Sequence, residues 1–350
     1  MQEEQQEPTP LNNLGEFGLI EKLTSKVKLR NSSSILGAGD DAAIIKGGKK
    51  LKLISTDMLV EGVHFDLLYT PLKHLGYKAA VVNFSDIYAM NGNPKQITVS
   101  IAVSNRMSVE ALEEIYEGIN LACELYQVDL VGGDTTSSLS GLVLSLSVIG
   151  EADETKIARR DGAKENDLIC VSGDLGAAYA GLQILEREKA VFQENEKVQP
   201  DLSGKDYVLE RQLKPEARKE IIEFFKKEGI VPSSMIDISD GLSSELIHLA
   251  KASNIGVQIY EEKIPIDPST VSTMEEFKID ATLAALNGGE DYELLFTLPL
   301  DYHEQIKNAP GISIIGHVTD KAAGNFMVGK GSEQMIPLKA QGWESHKADT

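Results

Sequence analysis

Carboxylates stand beside glycines or hydroxyls at five places in this chain: "GAGDDAA" (Gly37–Ala43), "ISTDML" (Ile54–Leu59), "VGGDTTSSLS" (Val131–Ser140), "DISDGL" (Asp237–Leu242) and "GGEDYE" (Gly288–Glu293). A further aspartate, Asp86, sits three residues after Asn83 inside the apolar run "AAVVNFSDIYAM". Taken singly, each has an ordinary reading. Gly-Asp-Asp is a common turn before a strand. Asp86 can pair with Lys78 or Asn83, and Ser239 or Asp240 can N-cap a helix that starts near Leu242. Asp237 closes an apolar strand and has no such role. Taken together, aspartates at strand ends from both halves of the chain would make a patch of bare negative charge if those ends converge. Two carboxylates roughly 4 Å apart repel by about 4 kcal/mol at an effective dielectric near 20, so several require cations. Oxygen donors with the neighbouring hydroxyls of Ser55, Thr56, Thr135 and Ser239 suit Mg²⁺ rather than Zn²⁺. Mg²⁺ completes its shell with water and phosphate oxygens, and glycines let a backbone come close to phosphate. The expected chemistry is metal-assisted work on a phosphate compound.

Other chemistries lack their residues. There is no G-x-x-x-x-G-K-[ST] loop, no G-x-G-x-x-G turn, no H-E-x-x-H, no paired C-x-x-C and no G-x-S-x-G. Lys+Arg 34 against Asp+Glu 54 gives a net charge of −20, which disfavours nucleic acid and anionic membranes as partners. No 18-residue apolar run and no signal-like N-terminus are present, so a cytoplasmic protein is expected. The two cysteines, Cys123 and Cys170, lie in apolar stretches and read as small buried hydrophobes rather than a disulfide.

The elements that must position these residues alternate. Residues 1–14 read as a loose polar tail and "GEFGLIEKLTSKV" as a helix. "LKLIST" is a strand ending in Thr56–Asp57. "PLKHLGYKAAVVNFSDIYAMNG" is a long helix closed by Gly92, "KQITVSIAVS" a strand, and "SVEALEEIYEGINLACELYQ" a helix capped by Ser108. "VDLV" and "GLVLSLSVIG" are strands flanking the loop "GGDTTSS". This pattern predicts a first domain of α/β or α+β type over 15–150 and a second over 151–350, joined by "EADETKIARRDGAKENDLICVSG". The charged tract around Glu186–Gln212 reads as an exposed excursion without motif content.

The run "GAGDDAA", "STDMLVEGVHF", "AVVNFSDIYAMNGNP", "LVGGDTT", "ARRDGAKENDLICVSG", "IDISDGLSSEL" and "GGEDYELLFTLP" resembles the thiamine-monophosphate kinase family, in that family's order and over about residues 15–345. The resemblance implies an α+β, two-domain fold, with a first-domain sheet that forms a barrel across a homodimer interface and an α/β sandwich as the second domain. It implies ATP, several Mg²⁺ ions and thiamine monophosphate as ligands. By match to the family's motifs, Asp41, Ser55, Thr56, Asp57, Asp86, Asp134, Asp237 and Asp240 are expected at metal sites. Tyr116, Gly133, Asp134, Arg160 and Ser239 are expected on the nucleotide. His64, Glu290 and Trp343 are expected on the thiamine side, and Asp57, Asp86, Asp134 and Arg160 at the catalytic centre. Direct transfer of the γ-phosphoryl group is expected, because no nucleophile stands beside a base. Two alternatives are a sister ATP-dependent synthetase and a non-enzymatic Mg–nucleotide sensor. A selenophosphate synthetase would want a reactive N-terminal cysteine and a hydrogenase-maturation dehydratase a C-terminal one; the chain has neither.

Overall fold

A computed structural model describes residues 32–37, 39–195, 199–332 and 334–340. The expected N-terminal tail, the helix over "GEFGLIEKLTSKV" and Trp343 lie outside the described residues.

The first sheet is built from β1 (Ser34–Leu36), β2 (Ala43–Gly47), β3 (Lys50–Val60), β4 (Asn93–Val103), β5 (Asp129–Ser137) and β6 (Val143–Ala152). Their order is β1-β2-β3-β6-β4-β5, with β4 and β5 parallel and the other pairs antiparallel. Two helices, α1 (Leu72–Ala89) and α2 (Val109–Tyr126), belong to this layer. They touch backbone to backbone: a Cβ on Gly118 would lie 1.9 Å from the Lys73 carbonyl oxygen. Helix α2 starts as expected, with the Ser108 side chain accepting from the Ala111 N–H at 3.2 Å. Helix α1 is buried on nearly every side, as an apolar helix without a polar face must be. It ends at Ala89, and the left-handed residue after it is Asn91 (φ 53°), not Gly92.

The second sheet takes β7 (Leu168–Ser172), β8 (Ser234–Asp237), β9 (Gly256–Tyr260), β10 (Leu294–Leu298), β11 (Ile312–Thr319), β12 (Asn325–Val328) and β13 (Met335–Pro337), in the order β13-β12-β9-β11-β7-β10-β8. Its helices are α3 (Ala177–Glu194), α4 (Asp206–Leu213), α5 (Lys219–Glu228), α6 (Leu242–Ser253), α7 (Pro268–Glu276), α8 (Ala281–Asn287) and the short α9 (His303–Ile306). Strand β7 is buried at every residue and splits its side chains between two cores. Leu168 and Cys170 join α1 and the first sheet, whereas Ile169 and Val171 pack with Leu246 and Leu249 of α6. The expected join therefore contains a central strand, and one hydrophobic core runs from the first sheet through α1 to the second.

Two strand ends differ from expectation. Strand β3 continues through Thr56–Asp57 to Val60 because β6 pairs with it throughout, Asp57 opposite Leu146. The segment "GGDTTSS" is strand rather than loop as far as Ser137, since β4 extends alongside it to the pair Val103–Ser137. Gly133 is required there by close approach: a Cβ would lie 1.9 Å from the Val99 carbonyl oxygen. Among the described residues the first sheet is open and forms no closed barrel, with β1 and β5 at its edges. No described helix is long and apolar enough to cross a membrane.

Candidate active site

Three aspartates far apart in sequence meet between the two sheets. Asp41 precedes β2, Asp86 is on the last turn of α1, and Asp237 ends β8. One carboxylate oxygen of each lies within 4.8 Å of the others. Asp41 and Asp237 are buried, while Asp86 is half-buried. Each has a partner that fixes it. The Ser55 hydroxyl donates to Asp86. The Ser85 hydroxyl donates to Asp237 at 2.6 Å. Arg160 grips Asp41 with two N–H groups, Nε to Oδ2 at 3.0 Å and Nη2 to Oδ1 at 2.8 Å. Asp86 therefore pairs with neither Lys78 nor Asn83, since Asn83 donates to the Ala79 carbonyl at 3.0 Å and Lys78 faces Glu290.

The cluster lines a cavity of about 570 Å³ that also takes in Asp57, Arg160, Ser239 and Asp240. His64 and Glu290 line it as well. Of the expected residues, Ser55 reaches this site through its hydrogen bond to Asp86. Thr56 is engaged elsewhere: its hydroxyl donates to the Leu146 carbonyl at 2.9 Å. Tyr116, Gly133 and Asp134 are not brought into the cavity. Asp134 pairs with Ser100, Ser100 with Ser145, and Ser145 with Met58, so roughly 14 Å of sheet separates it from Met58. Side chains alternate along strands, which puts exposed Asp134 on the face opposite Asp57. Helix α6 is capped by Gly241 (φ 105°) with no side-chain cap. Ser239 and Asp240 are thereby left to line the cavity.

Burial disfavours charge throughout the cluster. Burial first, then Asp57, Asp237 and Asp41, push the Asp86 carboxyl well above the usual range. Burial and then Asp41 push Asp237 up to about 8. Asp57 rises to about 6 by burial. Oxygen donors held this close, with one guanidinium and two hydroxyls offsetting their charge only in part, fit a hard divalent cation. A consequence concerns stability. A carboxyl whose pKa is raised on folding contributes stability that is complete below the ordinary carboxylate range and lost as pH rises through the folded value. Without metal, the melting temperature should fall as pH rises from about 4 through 6 and 8, the window set by Asp57 and Asp237. Added Mg²⁺ should raise it most at the alkaline end. A melting temperature independent of pH in EDTA would refute this.

Several residues in and around the cavity had no motif to announce them. Asp40, beside Asp41, accepts the Arg160 N–H at 3.2 Å and is pushed up to about 7 by burial and by Asp41. The doubled aspartate of "GAGDDAA" was its only signal. Glu245, buried on α6, lines the cavity and accepts the Asp240 N–H at 3.0 Å. The charged tract supplies more: Lys189 pairs with Asp66 at 2.9 Å, Tyr69 donates to Glu186 at 2.8 Å, and Gln212 donates to Glu290 at 2.8 Å. These six side chains all line the cavity. Nothing in the local sequence marks the five other than Glu290, because loop 61–70 meets α3, and Gln212 meets Glu290, only in the folded chain.

Residues 39–152 match the family model for the AIR synthase related protein, N-terminal domain. The chain is 34% identical over 343 residues to the thiamine-monophosphate kinase of Bacillus subtilis (strain 168), covering 95% of this chain and 100% of that protein. It is 34% identical over 334 residues to the thiamine-monophosphate kinase of Aquifex aeolicus (strain VF5), covering 95% and 99%. Among solved structures it resembles AaThiL complexed with AMPPCP and TMP, with a TM-score of 0.81, 32% identity, and 97% and 99% of the two chains covered. A hydrogenase maturation protein HypE in complex with ATP shares the fold at 20% identity and a TM-score of 0.64.

Proposed function

The chain belongs to the thiamine-monophosphate kinase family, and we infer from that membership that it phosphorylates thiamine monophosphate with ATP, giving thiamine diphosphate and ADP. The observation that carries the reading to this chain's own residues is the meeting of Asp41, Asp86 and Asp237 within 4.8 Å. They lie in a cavity that Arg160, His64 and Glu290 also line.

We assign Asp41, Asp57, Asp86, Asp237 and Asp240 to the holding of Mg²⁺, with Ser55 orienting Asp86. Bound Mg²⁺ supplies the charge neutralisation that lets two polyanions approach. The chain's own work is placement. We assign Arg160, fixed by Asp41, to the phosphates, for which it keeps further N–H groups and its positive charge. Ser239 lines the same cavity, and we assign it to the nucleotide. His64, whose Nδ1 accepts the Val60 N–H at 3.0 Å, and Glu290 are assigned to the thiamine side. Thr56, Tyr116, Gly133 and Asp134 keep their metal and nucleotide assignments from the family's pattern alone.

The phosphoryl group passes directly, in this proposal. The acceptor phosphate has a second pKa near 6, is mostly dianionic at pH 7, and needs no base. Burial pushes the thiols of Cys123, to about 11, and Cys170 above their usual range, so neither is a nucleophile. The test is to incubate the protein with Mg²⁺, thiamine monophosphate and ATP made chiral at its γ-phosphorus. We expect thiamine diphosphate with inverted configuration, and none when EDTA is added. Absence of thiamine diphosphate would refute the activity, and retention of configuration the direct route.

We also propose a homodimer that covers the first sheet. Edge strand β5 is exposed from Gly132 to Ser137, and an unpaired edge invites a partner. Asp134 and Gly133 lie on that edge, so the second copy would complete the nucleotide side. A dimeric mass by light scattering at micromolar concentration is expected; a monomeric mass would refute it.

A further inference from the structure

Glu290 is held more firmly than a ligand-facing carboxylate needs to be, and the two residues that hold it are buried. Lys78, 4% exposed on α1, places its Nζ 2.9 Å from Glu290 Oε1 and donates to the Gln212 carbonyl at 3.1 Å. Gln212, 6% exposed near the end of α4, donates from Nε2 to Glu290 Oε2 at 2.8 Å. Each carboxylate oxygen thus has one protein donor. The backbone is fixed as well: Glu290 has φ 57°, unusual for a non-glycine residue, and its N–H donates to the Ser239 carbonyl at 2.7 Å.

We propose that Lys78 and Gln212 are positioning residues that hold Glu290 as a fixed hydrogen-bond acceptor for an N–H donor on the phosphate-accepting substrate, an aminopyrimidine. The proposal rests on the kinase reading above. A carboxylate accepts about four hydrogen bonds. The protein supplies one to each oxygen, and Glu290 keeps a partly exposed side chain on the cavity. Its remaining acceptor positions serve a ligand. Lys78 also neutralises the carboxylate, so this end selects by the direction of hydrogen bonds rather than by net charge.

Packing alone does not account for the pair. A carboxylate only accepts, so the Gln212 amide must turn Nε2 toward Glu290. That choice leaves Gln212 Oε1 buried without a partner among the described residues. An apolar residue of the same size would fill the space without the orphaned acceptor. The arrangement is understandable if the direction of Glu290 is what Gln212 provides.

The test is a double-mutant cycle on the full chain with ATP and Mg²⁺, using Gln212→Leu, Glu290→Ala and the double variant, with Lys78→Met as a second probe. Gln212→Leu should raise KM for thiamine monophosphate about tenfold, move kcat less, and leave KM for ATP and the melting temperature near wild type. In the Glu290→Ala background Gln212→Leu should add nothing, because its effect passes through Glu290. Lys78→Met should raise KM for thiamine monophosphate in the same way and add nothing in the Glu290→Ala background, with a lower melting temperature of its own because it breaks a buried pair from one side. Equal losses in both backgrounds, or KM values for both substrates rising together with a lower melting temperature, would overturn the proposal. If wild type makes no thiamine diphosphate, the kinase reading fails separately. Calorimetric titration of thiamine monophosphate into wild type and Gln212→Leu then decides this one, weaker binding by the variant supporting it and equal binding overturning it.

Discussion

Replacing Asp86 with asparagine should reduce formation of thiamine diphosphate by on the order of a thousandfold or more, the scale at which loss of a preorganised charge stabiliser is felt. The substitution keeps the shape of the side chain and an oxygen for the Ser55 hydroxyl, but it removes the anionic donor. The metal-free variant should melt no lower than wild type. Asp86 stands among Asp41, Asp57 and Asp237, each of which raises its carboxyl pKa after burial has done so. At the 4.8 Å limit of this cluster, an ionised pair at an effective dielectric near 20 repels by roughly 3 kcal/mol. Removing one charge relieves that repulsion. Activity and metal-free stability should therefore move in opposite directions, which a loss of fold cannot imitate. Thermal melts in EDTA beside turnover with Mg²⁺ would check both. A markedly lower melting temperature without metal would mean that Asp86 is a structural partner.

The largest loss of stability is expected at Glu293, outside the metal cluster. Glu293 is fully buried just before β10. It accepts from Arg218 through Nε at 2.5 Å and also through Nη2. Arg211 lies 3.0 Å away, and the Ser172 hydroxyl donates to it at 2.5 Å. This one carboxylate ties the second sheet to α4 and to the segment entering α5. Glu293→Ala would leave two largely buried guanidinium groups short of counter-charge, with Asp291 and Asp174 each 3.8 Å from Arg211 and the exposed Glu220 3.5 Å from Arg218. Breaking a buried pair from one side costs about 3–5 kcal/mol. For a chain of this size that corresponds to a melting temperature lower by roughly 10 °C. Glu293→Gln, which keeps shape and one acceptor, should lie between. A Glu293→Ala melting temperature within about 2 °C of wild type would show that the network contributes little net stability.

Much of the site was legible because its chemistry depends on residue type. Asp41 and Asp86 stand in motifs that carry glycine or hydroxyl residues and Asp237 closes an apolar strand, and carboxylates gathered in one place fit a divalent cation wherever the chain puts them. Helix α2 and strands β3, β4 and β6 were legible from apolar period and from the Ser108 cap, and helix α1 from the length of its apolar run, signals that local sequence carries. The charged tract was not. Gln212, Glu186 and Lys189 stand among ordinary surface residues, and only the packing of α3 against loop 61–70 and of α4 against α1 and Glu290 makes them a cavity wall.

Residue chemistry by itself determined that this chain carries carboxylates of a kind that suits Mg²⁺ and phosphate, that strands alternating with helices carry them, and that Cys123 and Cys170 are buried in apolar stretches. Tertiary structure alone decided which of those carboxylates meet. Asp57 lies within a strand because β6 pairs with β3 to its end, and Asp134 lies within a strand because β4 runs beside β5. Strand length is set by a neighbour distant in sequence, and the face a side chain takes alternates with each residue along the strand. Asp57 therefore joins Asp86 and Asp237 beside α1, while Asp134, in an equally persuasive motif, is carried to the opposite face at the sheet's edge.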